Sequence, residues 1–256
     1  MPHVELDLTI HNGAGERIAA TFLTPNNASP APAVLLCQGL SGVRNLVMPT
    51  VAGVLADAGI ASLRFDYAGH GESSGDRGWI NPFARVSDAR YVLSYLIGMQ
   101  EVDPHRVGVY GHSYGGPVAL HLAAADPQVR AAVTVSGPGN GEAMLRAPRP
   151  AWEWVELKKR VAVDRLAISR GHEPEVVPVN DIFPFSPAFA AAYEKLKASQ
   201  GGTSALPGTD GLGKTSFYLA SVDAMSAFRP EAAAAQLTGC PTMFINGAGD
   251  DTAPIE

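Results

Sequence analysis

The stretch from Arg106 to Ala125 constrains this chain more than any other part. Gly111-His112-Ser113-Tyr114-Gly115 forms a G-x-S-x-G sequence. Arg106-Val107-Gly108-Val109-Tyr110 precedes it, a short β-branched apolar run that reads as a buried strand. Pro117 to Ala125 follows, which reads as a helix with proline in its first turn. A strand, a sharp turn carrying serine and then a helix make a nucleophile elbow. Small residues at both ends of the turn let the backbone take the strained conformation that pushes Ser113 Oγ out of the sheet. The helix N-terminus behind the serine favours negative charge beside it.

The surrounding rhythm fixes the fold class. Val4 to Ile10 alternates polar and apolar residues, and Arg17 to Leu23 follows after Asn12-Gly13, which predicts an antiparallel hairpin. Ala33 to Cys37, Ile60 to Phe65 and Val129 to Ser136 read as further buried strands. Met48 to Ala58 and Phe83 to Met99 read as helices, the second with Val86, Ala89, Leu93 and Leu96 on one face. Strands alternating with helices predict an α/β fold with a doubly wound, mostly parallel sheet. The rhythm breaks after Asn140: up to about Thr238 no strand is expected. Helices are expected over Trp152 to Arg170, Pro187 to Ser199 and Ser216 to Phe228, separated by proline- and glycine-rich stretches. The expected organisation is a core over 1–140, a helical cap insertion over 141–236 and a return to the core over 237–256. The return opens with the strand-like Pro241 to Gly247.

With these segments in place the chain resembles the α/β-hydrolase superfamily, over about residues 18–140 and 237–256. Gln38-Gly39-Leu40-Ser41-Gly42 follows a buried strand where many members carry an oxyanion loop. Phe65 to Ser73 is similar to the family's stretch after the next strand. Gly247-Ala248-Gly249-Asp250-Asp251-Thr252-Ala253-Pro254 is similar to its acid loop. The nearest branch is the dienelactone-hydrolase-like and acyl-peptidase-like hydrolases. The resemblance implies nucleophilic acyl transfer to Ser113, with hydrolysis of an ester, thioester or amide through an acyl-enzyme. It implies Asp250 as the triad acid, with Asp251 as the alternative, and the backbone N–H groups of Leu40 and Tyr114 as oxyanion donors. Each such donor typically contributes about 3 kcal/mol to the transition state. The cap aromatics suggest a partly apolar acyl or alcohol group.

The histidine of a triad is expected after the acid, on the loop beyond one more strand. None of the seven histidines holds that place, since the sequence runs only to Glu256. The simplest expectation is a fragment without the last strand, histidine loop and final helix. The other reading is a catalytically silent binding protein of the same fold.

Several classes are disfavoured. The net charge of −6 and the lack of a basic run argue against nucleic acid. No apolar stretch is long enough to span a bilayer, and the N-terminus lacks a signal-peptide pattern, so a cytoplasmic protein is expected. Cys37 and Cys240 are expected as buried free thiols. No metal-ligand spacing is present, and neither a metal nor another cofactor is expected. Gly208 to Thr215 matches G-x-x-x-x-G-K-T, but Ser204-Ala205-Leu206-Pro207 before it is no buried strand, so a loop is expected rather than a phosphate site. The expected partner is a small acyl substrate; the sequence leaves oligomeric state open.

Overall fold

The apolar runs assemble into a seven-stranded sheet in the computed structural model, which describes residues 3–25, 30–187, 190–191, 195 and 216–250. The first half of the chain runs β1 (Val4–His11), β2 (Arg17–Thr24), β3 (Ala31–Cys37), α1 (Met48–Asp57), β4 (Ala61–Phe65), α2 (Pro82–Ile97), β5 (Val102–His112), α3 (Gly115–Ala125) and β6 (Val129–Val135). Next come α4 (Gly141–Arg146), α5 (Ala151–Ser169), β7 (Val176–Pro178), α6 (Val179–Ile182), β8 (Ser216–Tyr218), α7 (Ser221–Ala227), α8 (Pro230–Ala234) and β9 (Thr242–Ile245).

The strand order is β1-β2-β4-β3-β5-β6-β9. The hairpin β1–β2 and its junction with β4 are antiparallel; β4, β3, β5, β6 and β9 are mutually parallel. Asn12 closes the hairpin, its Oδ1 accepting from the Ala14 and Glu16 N–H groups at 3.0 and 2.9 Å. From β3 the chain winds outward to β4 on one side, then returns to β5 and β6 on the other. The gap between β3 and β5 is therefore the topological switch point, and the loops leaving these two strands meet at its carboxyl edge.

Alternation along β3 shows both faces covered. Ala33, Leu35 and Cys37 join the main core with Ala89, Leu93 and Leu96 of α2 and Val118, Ala119 and Leu122 of α3. Leu36 faces the other way, against Met48, Ala52 and Ala56 of α1. The α/β fold with a mostly parallel sheet is thus the one the sequence predicts. Cys37 is buried, but Cys240 is only partly so, because it precedes β9 at the end of the sheet.

Between β6 and β9 a separate apolar cluster forms from Met144 and Leu145 of α4, Trp154, Leu157 and Val161 of α5, and Phe217, Val222 and Met225 farther on. The expectation of no strand here is wrong. β7 and β8 pair antiparallel, with Val176 opposite Tyr218 and Pro178 opposite Ser216. Three-residue strands are too short to show alternation, and their partners lie far apart in sequence. The helix expected from Ser216 is correspondingly shorter, starting at Ser221. The Gly208–Thr215 motif and most of the expected Pro187–Ser199 helix lie outside the described residues.

Candidate active site

Ser113 occupies the tight turn between β5 and α3 with φ of 53°, a left-handed conformation that L-residues seldom adopt. Its N–H donates to the Val135 carbonyl at 2.8 Å, and its carbonyl accepts from the Gly116 N–H at 2.9 Å. Close backbone approach dictates the flanking glycines. A Cβ on Gly111 would stand 2.1 Å from the Gly115 carbonyl oxygen, and one on Gly115 would stand 2.2 Å from the Cys37 carbonyl oxygen. The Ser113 residue itself is only partly buried.

The Gln38–Gly42 loop leaves β3 beside it. A Cβ on Gly39 would lie 3.5 Å from Ser113 Cβ and 3.8 Å from Ser113 Oγ. Leu40, next in the chain, packs at the margin of the apolar cluster between β6 and β9, and Tyr114 is buried within it. Gly39, the residue before Leu40, thus approaches Ser113 from the β3 side of the switch point, and Tyr114 follows Ser113 on the β5 side. Gln38, the first residue of the loop, is buried. Farther along, Arg44 fixes the loop to the next strand's end. Its N–H and Nη1 donate to Asp66 at 2.6 and 2.5 Å, and its Nη2 donates to Glu72 at 2.8 Å. Burial raises the Asp66 carboxyl above its usual range despite Arg44. Cys37, under the same loop, is pushed up to about 12 by burial, so it stays a neutral thiol.

Asp250 follows β9, and its N–H donates to the Gly247 carbonyl at 3.1 Å. Register places it on the same edge as the serine: His112 pairs with Val135, and Val135 with Ile245. Asp251 lies outside the described residues. Among the described residues no histidine hydrogen-bonds Ser113. His121 stacks on Phe228 at 4.1 Å and shares a 3.0 Å hydrogen bond with the Pro117 carbonyl. His70 is buried behind the Gln38–Gly42 loop, its Nε2 2.8 Å from Arg85 Nη2.

Arg85 was not singled out by sequence reasoning, yet it reaches this loop directly. Its Nη1 donates to the Gly39 carbonyl at 3.2 Å and its Nη2 to the Leu40 carbonyl at 2.5 Å. The available signal was its phase. Arg85 stands one turn before Ala89 on the apolar stripe that continues to Leu93 and Leu96, a charge on the buried face of a helix. Among the described residues no His, Cys, Asp and Glu cluster could hold a metal ion, and no helix is long and apolar enough to cross a membrane.

A family model described as the alpha/beta hydrolase fold matches residues 32–256. An uncharacterised 31.7 kDa protein of Escherichia coli is 34% identical over 130 residues, covering 51% of this chain and 46% of that protein. A thiohydrolase of Aspergillus aculeatus is 28% identical over 169 residues, covering 64% of this chain and 52% of that protein. The chain spans about half the length of these curated relatives. Among solved structures, a hypothetical protein of Pseudomonas aeruginosa superposes with a TM-score of 0.80 at 21% identity, covering 96% of this chain and 78% of that one.

Proposed function

The chain belongs to the alpha/beta hydrolase family, and from that premise we propose that it carries the nucleophile of a serine hydrolase acting on a carboxylic ester, thioester or amide. The observation that supports this reading is the left-handed Ser113 at the end of β5, with the Gln38–Gly42 loop against it. Such a residue is held out of the sheet at a cost that packing alone does not require. Ser113 Oγ attacks the carbonyl carbon as a base takes its proton, a tetrahedral oxyanion forms, the proton passes to the departing alcohol, thiol or amine, and water then adds to the acyl group and releases it as a carboxylic acid. The Leu40 and Tyr114 N–H groups hold the oxyanion, and the α3 N-terminus adds a favourable field. Asp250 serves as the acid that orients and stabilises a protonated base. The segment over 141–236 acts as a cap that shapes an acyl site. The thiohydrolase relative favours a thioester among the three substrate classes.

A second reading is a binding protein that keeps the fold without turnover. It is favoured by the lack, among the described residues, of a histidine bonded to Ser113. Labelling with a fluorophosphonate probe and turnover of p-nitrophenyl acetate separate the two. Both are expected from the wild-type protein, and both are expected to vanish in Ser113→Ala. A wild-type protein that shows neither supports the binding reading.

A further inference from the structure

We infer that Arg85 is a positioning residue that clamps the oxyanion loop, and that its reach extends to both donors; this rests on the assignment of Leu40 and Tyr114 above. The guanidinium is buried, with its residue 2% exposed. It donates to two successive carbonyls of the loop, those of Gly39 and Leu40. Fixing the planes on either side of Leu40 Cα fixes the direction of the Leu40 N–H, because that N–H belongs to the same peptide unit as the Gly39 carbonyl. On the other side the Arg85 guanidinium carbon lies 5.7 Å from the centroid of the Tyr114 ring, and 4.8 Å from that of Tyr67. One buried cation thus touches the loop that carries the first donor and the side chain of the residue that carries the second.

His70 completes the clamp. Arginine only donates, so His70 Nε2 accepts from Nη2, and Nδ1–H donates to the Ala68 carbonyl at 3.1 Å. Both protons of Nη2 are then directed, one to Leu40 and one to His70. Among the described residues no carboxylate forms a salt bridge with Arg85. Asp88 on the same helix acts on the guanidinium only at longer range, so the loop carbonyls, His70 and the two tyrosine rings are its close partners, and a neutral side chain would fill the same space at lower desolvation cost. Its retention is explained by what it holds. A cavity of about 410 Å³, lined by Arg85, His70, Trp79 and the acidic Glu16, Asp76 and Asp88, opens onto the clamp from the side of α2. That cavity gives a small cation a route to the place a shortened side chain would vacate.

The test compares wild type, Arg85→Lys and Arg85→Ala by hydrogen exchange of residues 38–42, by the rate of fluorophosphonate labelling, and by kcat and KM on p-nitrophenyl acetate. Exchange in the loop is expected to quicken at least tenfold in Arg85→Ala, with exchange in β5 and β6 unchanged. Labelling and kcat are expected to fall at least tenfold with KM within twofold. Lysine, which reaches one carbonyl, is expected to fall between, and guanidinium at millimolar concentration is expected to restore part of the rate in Arg85→Ala. Loop exchange equal to wild type, or quickened equally across the sheet, overturns the clamp. An inactive, unlabelled wild type overturns the assignment of Ser113 instead, and the exchange data still decide whether Arg85 holds the loop. If Arg85→Ala does not fold, the lysine variant carries the same comparison.

Discussion

At Ser113 the left-handed backbone, φ 53°, costs an L-residue about 1 kcal/mol, whereas glycine adopts it freely. Ser113→Gly is therefore expected to be about 1 kcal/mol more stable than Ser113→Ala, although both lack the hydroxyl. Equal urea midpoints for the two variants would show that the turn is unstrained. Serine at this position trades stability for an exposed hydroxyl. The requirement was legible in the sequence because the steric demand falls on nearby positions, Gly111 and Gly115, where a Cβ would meet backbone within 2.2 Å. Arg85 was harder to read. Its partners are carbonyls of Gly39 and Leu40, which any sequence supplies, so nothing in their identities announces the contact. Only a charge in phase with the apolar stripe of α2 marks it. Asp250 lies between these cases: spacing marks it, while the loop that would set its side chain against a base is not spelled out by local pattern.

Among the elements, α3 links the elbow to the segment between β6 and β9. Its His121 stacks on Phe228, and burial holds the imidazole below its ordinary value of 6.5; burial does the same to His112 at the end of β5. A histidine whose folded-state pKa is lowered contributes stability that is present above pH 6.5 and lost as pH falls through the lower folded value, because the unfolded chain takes up protons first. Urea midpoints are thus expected to fall from pH 7.5 to 5.5, and the fall is expected to be shallower in His121→Gln. An unchanged slope in that variant would place the pH dependence elsewhere. The helices and long strands were readable because each carries several turns or alternations of its own. β7 and β8 were not, since a three-residue ribbon exists only through pairing between Val176–Pro178 and Ser216–Tyr218, far apart in the chain.

For the whole molecule, the parallel sheet follows from alternation of strands and helices, but the order β4-β3-β5 does not. It depends on which way each crossover turns, and the consequence is large: it brings the loop after β3 against the turn after β5 and so creates the site. The same order puts β9 last among the described strands. There Met243, Phe244 and Ile245 are 59, 57 and 46% exposed, a row of apolar side chains on both faces of an end strand. Contiguous exposed apolar side chains of this kind favour association between molecules. The net charge of −6 opposes association only at long range and weakens with salt. The 256-residue chain is therefore expected to associate increasingly as salt is raised from 20 to 300 mM (roughly a fourfold contraction of the Debye length). Phe244→Lys is expected to shift the sedimentation profile toward monomer at every salt concentration. A profile indistinguishable from wild type would mean that the end strand does not carry the association, and that another face of the molecule does.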